Sequence, residues 1–300
     1  MSQESHVKMF ALAAALGLAA IAATASAASI GVKFAETGDG DTFPTFTGTA
    51  GVTTANGGSG NYAQSNWNNV AGEEGIKGTS ASGISLVDSS GAASTVTFGY
   101  TSAHYFNATK TNEGSGAPAS PTADQELVSG ALENDEGTAS TATFSNVSPG
   151  KYTVVAYTVF QAAVASGAYS GAATFTVNGS DSTVILDQGG NYGLPSSFDG
   201  STGAGPTAWI TNPNPTSTSD PSNYVVFSNV SPDANGNITL GWSKYTGGAF
   251  SNDGTGNGVD AVQLIPVVTP EQASLGLLGL GVLGLPLLAT GRRRHAPVLR

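Results

Sequence analysis

The 300-residue chain contains no cysteine, which excludes disulfides, thiolate metal centres and cysteine nucleophiles together. Its stability must come from a packed core. Basic residues are scarce as well, ten lysines and arginines against 21 aspartates and glutamates, and all four arginines (Arg292, Arg293, Arg294 and Arg300) fall in the last nine residues. Between Ala28 and Glu271 only Lys33, Lys77, Lys110, Lys151 and Lys244 are positive, against 20 acidic residues, which leaves that segment at −15. A field of that sign repels nucleic acid and anionic lipid and draws cations toward the surface, so no nucleic-acid partner is expected.

Histidine is nearly missing too: of three, only His104 lies away from the two ends of the chain. A Ser-His-Asp site would have to use it, within Ser102-Ala103-His104-Tyr105-Phe106, and no nucleophile-elbow motif accompanies it. The simpler reading is a strand-end histidine beside Tyr105. A glycosidase needs only two facing carboxylates, but Glu73-Glu74, Glu126, Glu133 and Asp135-Glu136 group on hydrophilic segments that read as solvated surface. The expectation is no enzyme, with a surface hydrolase as the last alternative.

What is present begins at the two ends. Lys8 precedes an apolar stretch from Met9 to Ala23, and Ala25-Ser26-Ala27-Ala28 supplies the small residues of a cleavage site; together these read as a secretory signal peptide over residues 1–27. At the other end, the 20 residues from Gln272 to Gly291 carry no charge. A helix of that length, rising about 1.5 Å per residue, crosses a hydrocarbon core of roughly 30 Å. The arginines after it keep the C-terminus in the cytoplasm and place everything before Pro270 outside. The expected organisation is therefore a leader (1–27), an acidic ectodomain (28–266), a linker (267–271), a transmembrane helix (272–291) and a basic cytoplasmic tail (292–300).

Between the ends, strand patterns dominate. Ile84-Ser85-Leu86, Val96 to Tyr100 and Ile238 to Trp242 alternate apolar with small or polar residues, as strands buried on one face do. Further strands are expected at Ser29 to Phe34, Ala139 to Phe144, Tyr152 to Val159, Ala173 to Val177, Thr183 to Leu186, Tyr224 to Phe227 and Val259 to Ile265. Gln125 to Leu132 fits either a short helix or a strand. The 41 glycines and the many Asn, Ser, Thr and Asp residues between these runs make turns and surface loops, the longest at Thr111 to Thr122 and Gly200 to Ser222. One echo stands out: Phe144-Ser145-Asn146-Val147-Ser148-Pro149-Gly150 recurs as Phe227-Ser228-Asn229-Val230-Ser231-Pro232-Asp233. Both copies are expected to link strands at sandwich edges, with Phe and Val as core anchors. The predicted class is all-β, an antiparallel β-sandwich followed by one C-terminal transmembrane helix.

The order Pro270-Glu271, then a Gly- and Leu-rich run from Leu275 to Leu288, then Arg292-Arg293-Arg294, resembles the PEP-CTERM sorting signal of exported proteins in Gram-negative bacteria that make extracellular polymer. The resemblance implies that Pro270, Glu271, Arg292, Arg293 and Arg294 form the sorting motif. It also implies a membrane-embedded, exosortase-like protease as partner, transient residence in the inner membrane, and delivery to the cell surface or matrix. The chain departs from that pattern at Gln272, where the family reads a second proline. More loosely, Ile30 to Phe34, Asn66-Trp67-Asn68-Asn69 and Gly258 to Leu264 resemble galactose-binding-like and jelly-roll sandwiches. In such domains a structural ion joins an early acidic residue to one on the last strand, and Glu36 and Asp260 occupy comparable places, which makes calcium the candidate cofactor.

Other oxygen-rich turns, Asp39-Gly40-Asp41, Asp233 to Asn237 and Asn252-Asp253-Gly254, lack the acidic residue that closes a calcium loop, and Asp233 to Asn237 reads more simply as a turn. For sugar, Trp67 among asparagines and Trp209 before Thr211-Asn212-Pro213 are the candidate platforms, while Trp242 alternates with Ile238 and Leu240 and belongs to the core. The function expected from all this is structural or adhesive at the cell surface, with extracellular polysaccharide as partner. The alternative is a carbohydrate-binding module that uses the two tryptophans.

Overall fold

Period-two alternation becomes strand because each strand can then turn one face to a core. The computed structural model describes residues 28–36, 52–53, 58–59, 61–72, 78–107, 123–128, 130–134, 139–158, 169–188, 209–217, 219–220, 222–247 and 258–267. Its strands, in chain order, are β1 (Ile30–Glu36), β2 (Val52–Thr53), β3 (Trp67–Gly72), β4 (Thr79–Val87), β5 (Ala93–Ser102), β6 (His104–Asn107) and β7 (Gly130–Glu133). Then follow β8 (Ser140–Ser145), β9 (Tyr152–Tyr157), β10 (Tyr169–Val177), β11 (Asp181–Gln188), β12 (Tyr224–Val230), β13 (Ile238–Lys244), β14 (Gly258–Val259) and β15 (Ala261–Pro266). Among the described residues one helix, α1 (Ala123–Leu127), precedes β7. The segment that fits either a short helix or a strand is thus both in succession.

Ala28–Val267 forms one compact unit, an all-β sandwich of two six-stranded sheets with a small third. The first sheet runs β12-β9-β15-β1-β3-β2, the second β11-β10-β13-β8-β5-β4, and the small one β14-β7-β6. Pairing is antiparallel with one exception among the described residues: β1 and β3 run parallel, Val32 beside Asn68 and Phe34 beside Val70. That pair corrects the wholly antiparallel expectation. Among the described residues no helix is long and apolar enough to cross a membrane. The leader, Pro270, Glu271, the 272–291 span and Arg292, Arg293 and Arg294 all lie outside the described residues.

The core lies between the two large sheets. Val32, Phe34, Val154, Ala156, Val262 and Leu264 face it from the first, and Phe98, Phe144, Phe175, Leu240 and Trp242 from the second, all at most 2% exposed. Phe34 crosses to Phe98 and Tyr100 at ring separations of 6.1 and 6.0 Å. Burial of each large apolar side chain contributes roughly 1.5–3 kcal/mol, which replaces the cross-links the composition denies. Asn68 adds a polar clip between the sheets. Its amide nitrogen donates to the carbonyls of Gly31 and Val87, each at 2.8 Å, and its oxygen accepts from the Val87 amide at 2.8 Å.

The repeated heptapeptides are arches that carry the chain from one sheet to the other. Phe144 to Gly150 leads from β8 in the second sheet to β9 in the first, and Phe227 to Asp233 leads from β12 in the first to β13 in the second. In both, the asparagine takes a left-handed conformation, Asn146 at φ 59° and Asn229 at φ 61°, a region that asparagine tolerates better than other residues with a Cβ. Val147 and Val230 are buried at 4% and 5% exposure. Because β8 pairs with β13 and β9 with β12, the arches lie side by side with opposite chain direction, and the Val147 amide donates to the Gly236 carbonyl at 2.9 Å.

Candidate functional site

The first sheet is covered on its outer face as well. On β9, Val154 and Ala156 point into the main core, so Val155 and Tyr157 point the other way. There they meet Tyr224 and Val226 of β12, Ala261 and Ile265 of β15, and Trp67 at the start of β3. Leu127 and Val128 at the end of α1, with Tyr62 and Trp209 from loops, complete this second cluster.

Tyr157 is its centre. Trp67 meets it edge-on at 5.9 Å and 77°, Trp209 edge-on at 4.9 Å and 71°, and Tyr224 lies more nearly parallel at 6.2 Å and 28°. Tyr224 also stands against Trp209 at 6.4 Å and 85° and against Tyr62 at 6.4 Å and 64°. Tyr157 and Trp67 are closed off from solvent at 0% and 1% exposure, whereas Tyr62, Trp209 and Tyr224 are part-exposed. Aromatic pairs in these geometries each contribute about 0.5–1.5 kcal/mol beyond their area, so the exposed rings are held rather than free to swing.

Polar groups knit the same place together. Asp124 of α1 accepts the Gly58 amide on Oδ1 at 2.8 Å and the Trp209 Nε1–H on Oδ2 at 3.3 Å. The Ser59 amide donates to the Tyr157 hydroxyl at 3.3 Å, which donates in turn to Gln263 Oε1 at 3.3 Å. Gln263 Nε2 donates to Gln64 Oε1 at 2.8 Å, and the Trp67 indole N–H donates to the Gln64 carbonyl at 2.9 Å. Burial pushes the Tyr157 phenol well above its ordinary range; the Ser59 amide acts against this, and nearby Asp124, Tyr224 and Tyr62 reinforce it. Tyr157 is therefore a neutral donor at any physiological pH.

The segment that bears Trp209 is strapped to the sheet edge. Ile210 N–H donates to Asn223 Oδ1 at 2.7 Å, Asn223 N–H to the Ile210 carbonyl at 2.9 Å, and Asn212 N–H to Ser222 Oγ at 2.8 Å. Asn214 N–H reaches the Val184 carbonyl on β11 at 2.7 Å, which also covers an otherwise open strand edge.

The two sequence-predicted tryptophans thus come together through Tyr157, but with different fates. Trp209 keeps a part-exposed ring; Trp67, expected as a platform, is walled in and presents no face to a sugar. Its flanking asparagines belong to a buried strand, Asn68 and Asn69 being 6% and 8% exposed. Asp260 is 2% exposed; its amide donates to the Tyr157 carbonyl at 2.9 Å, its carbonyl accepts from Phe34 N–H at 3.0 Å, and it has a further interaction of its own.

Glu36 ends β1 two residues past Phe34, and Asp260 lies just before β15 with its carbonyl on the Phe34 amide, although the Glu36 side chain is outside the described residues. Among the described residues no group of three or more His, Asp or Glu side chains gathers as a metal site would. Asp233 spends its carboxylate on its own turn, accepting the amides of Asn235 and Asn237 at 2.8 Å each. Glu133, expected on solvated surface, is 8% exposed, and by register it stands opposite His104 between β6 and β7.

Sequence reading missed Tyr62, Asp124, Tyr157 and Tyr224 as a group. A signal was present: Val154-Val155-Ala156-Tyr157, Tyr224-Val225-Val226-Phe227 and Ala261 to Ile265 are nearly continuous apolar runs, and such strands have both faces covered.

No protein-family model and no curated protein matches this chain. A search of solved structures finds similarity to the functional form of the mosquito-larvicidal Cry4Aa toxin from Bacillus thuringiensis, at 15% identity and a TM-score of 0.24 over 47% of this chain. The match spans 19% of the toxin's length. It assigns neither an activity nor a partner.

Proposed function

We propose that this chain is an exported surface or extracellular-matrix protein whose sandwich contacts extracellular polysaccharide through Tyr62, Trp209 and Tyr224. The observation that carries this is the pinned, part-exposed aromatic trio beside the Asp124 carboxylate. Sugar rings offer apolar faces for stacking and hydroxyls for hydrogen bonding, and a site for them needs flat apolar surface with a few fixed polar groups. Trp209, held by Tyr157 on one side and Asp124 on the other, has that preparation. Successive strands from β8 onward lie in alternating sheets or hairpins, which favours a jelly roll as the finer fold.

The leader and the Pro270-Glu271 to Arg294 tail favour export, transient anchoring in the inner membrane and handling by an exosortase-like protease. A structural calcium joining Glu36 and Asp260 belongs to the same proposal, on the strength of the bond between the Asp260 carbonyl and the Phe34 amide, two residues before Glu36. Binding to neutral and charged oligosaccharides, followed by titration calorimetry so that the readout does not depend on Trp209 itself, tests the contact. Saturable binding lost in Trp209→Ala supports it, and the absence of any Trp209-dependent binding overturns it. Intact mass of protein recovered from outside the producing cell tests the sorting: a C-terminus near Pro270 or Glu271 means release, and retention of the arginines means a lasting anchor.

A further inference from the structure

The side chains that converge on the aromatic face are of one electrostatic kind. Asp124 supplies a carboxylate, Tyr62, Trp209 and Tyr224 supply part-exposed electron-rich rings, and the buried Tyr157, Gln64 and Gln263 behind them are neutral. The short helix α1 carries Asp124 and Glu126 and no basic residue. Lys33 shares this face of the sheet, across Ala261 from Tyr157, but it is 1% exposed and has an interaction of its own, so it presents no charge to a ligand. Trp209 and Tyr224 stand nearly perpendicular at 6.4 Å, and Tyr62 meets Tyr224 at 64°. Part-exposed rings beside a carboxylate attract a cation by quadrupole and charge together. The surrounding exported segment, at −15, draws cations toward the surface from a distance.

We infer that the ligand of this face is cationic: a glycan with free amino groups, a hexosamine polymer whose nitrogens are not acylated. The inference rests on the reading of the Trp209 face as a polysaccharide contact and narrows it to one class. A protonated sugar amine has the size and charge to sit against the rings near Asp124, while the pyranose face stacks on Trp209. N-acylation removes the charge and adds bulk at that nitrogen, so the acylated polymer is disfavoured on both counts.

The test uses the full chain in detergent at about pH 6 and near-physiological salt, with tryptophan emission as the signal. Trp67 and Trp242 are each 1% exposed, so a ligand-induced change reports Trp209. The probes are a glucosamine tetramer, its fully N-acetylated counterpart, a glucose tetramer and trilysine. The expected result is saturable binding of the glucosamine tetramer at least ten-fold tighter than that of the other three, and about ten-fold weakening in Asp124→Asn.

Equal binding of the acetylated or glucose tetramer would leave the polysaccharide contact standing and overturn the charge inference. No response to any oligosaccharide would overturn both. An equal response to trilysine would mean general acidity rather than a site, and would also overturn it. Since Asp124 ties two loops to α1, a melting curve accompanies its variant. If that variant is unfolded, Tyr62→Leu, which leaves the Asp124 bonds intact, decides: the preference for free amine over N-acetyl must narrow several-fold, and an unchanged preference refutes the cationic site.

Discussion

Gly31 on β1 is the position where one methyl group should matter most. A Cβ built there would meet the Gln64 amide and lie 2.5 and 2.7 Å from two ring carbons of Trp67, far inside van der Waals contact. The Trp67 ring is the neighbour that cannot yield. Trp67 is 1% exposed, edge-on to Tyr157 and tied through its indole N–H to the Gln64 carbonyl, so moving its ring moves the centre of the aromatic cluster. Overpacking of this kind costs about 1–3 kcal/mol. Gly→Ala also stiffens the unfolded chain, worth about 0.4–1 kcal/mol in the other direction.

Gly150→Ala isolates that second effect, because a Cβ at Gly150 meets only Tyr152, at an ordinary 3.6 Å. The difference between the two variants is then the overpacking alone. For a unit of this size it corresponds to a gap in melting temperature of roughly 2–12 °C, Gly31→Ala being the lower. The measurement is thermal unfolding by circular dichroism, with the near-ultraviolet aromatic bands recorded before melting. Gly31→Ala that melts at or above Gly150→Ala, with unchanged aromatic bands, would refute the packing argument and with it the pinning of the cluster.

Other outcomes follow from the arches, the turns and the ion. Asn229→Val should lower stability by about 1–2 kcal/mol in urea denaturation, because a β-branched residue resists the left-handed conformation, whereas Asn229→Gly should not lower it. Asp233 is held below its ordinary 3.8 by the Asn237 and Asn235 amides; at Asp88 burial works against the shift, but the Ser90 hydroxyl and the amides of Ser90, Ala92 and Gly91 outweigh it. Carboxyls lowered in the folded state contribute stability that is present above about pH 4 and lost as the pH falls below it. The double variant Asp88→Asn, Asp233→Asn should therefore show a smaller loss of stability than the native chain between pH 6 and pH 3. Finally, a chelator should lower the melting temperature at neutral pH if calcium joins Glu36 and Asp260, since an ion bound only to the folded state stabilises it; an unmoved midpoint excludes that ion.

Ten strands are legible in the sequence because alternation is a local property: β5, β8 and β13 read directly from Val96 to Tyr100, Ala139 to Phe144 and Ile238 to Trp242. β3 is not, because Trp67-Asn68-Asn69 looks like a polar loop until Asn68 is seen to spend its amide on Gly31 and Val87. The arches are legible as a repeat, but their crossing between sheets is not, since only the pairing partners of β8, β9, β12 and β13 reveal it. Which tryptophans are buried was legible only in part. Local sequence separates Trp242 from Trp67 and Trp209, yet nothing near Trp67 announces that Tyr157, 90 positions later, buries it. Asp124 lies 85 positions from the indole it accepts from, and no window of sequence holds both.

The pairing of β1 with β15 has a mechanical consequence. Ile30, at the start of the unit, is the register partner of Leu264, near its finish, so the two ends of this unit come side by side. Tension applied between Ala28 and Val267 would load that pair together with the Ser89–Ser29 and Val267–Lys151 backbone bonds beside it, and then open rungs one at a time, as a zipper yields. A pull between Val267 and the outer aromatic face would instead act along several strands at once and meet their rungs in parallel. The same domain would thus be compliant when stretched end to end and stiff when held by its face.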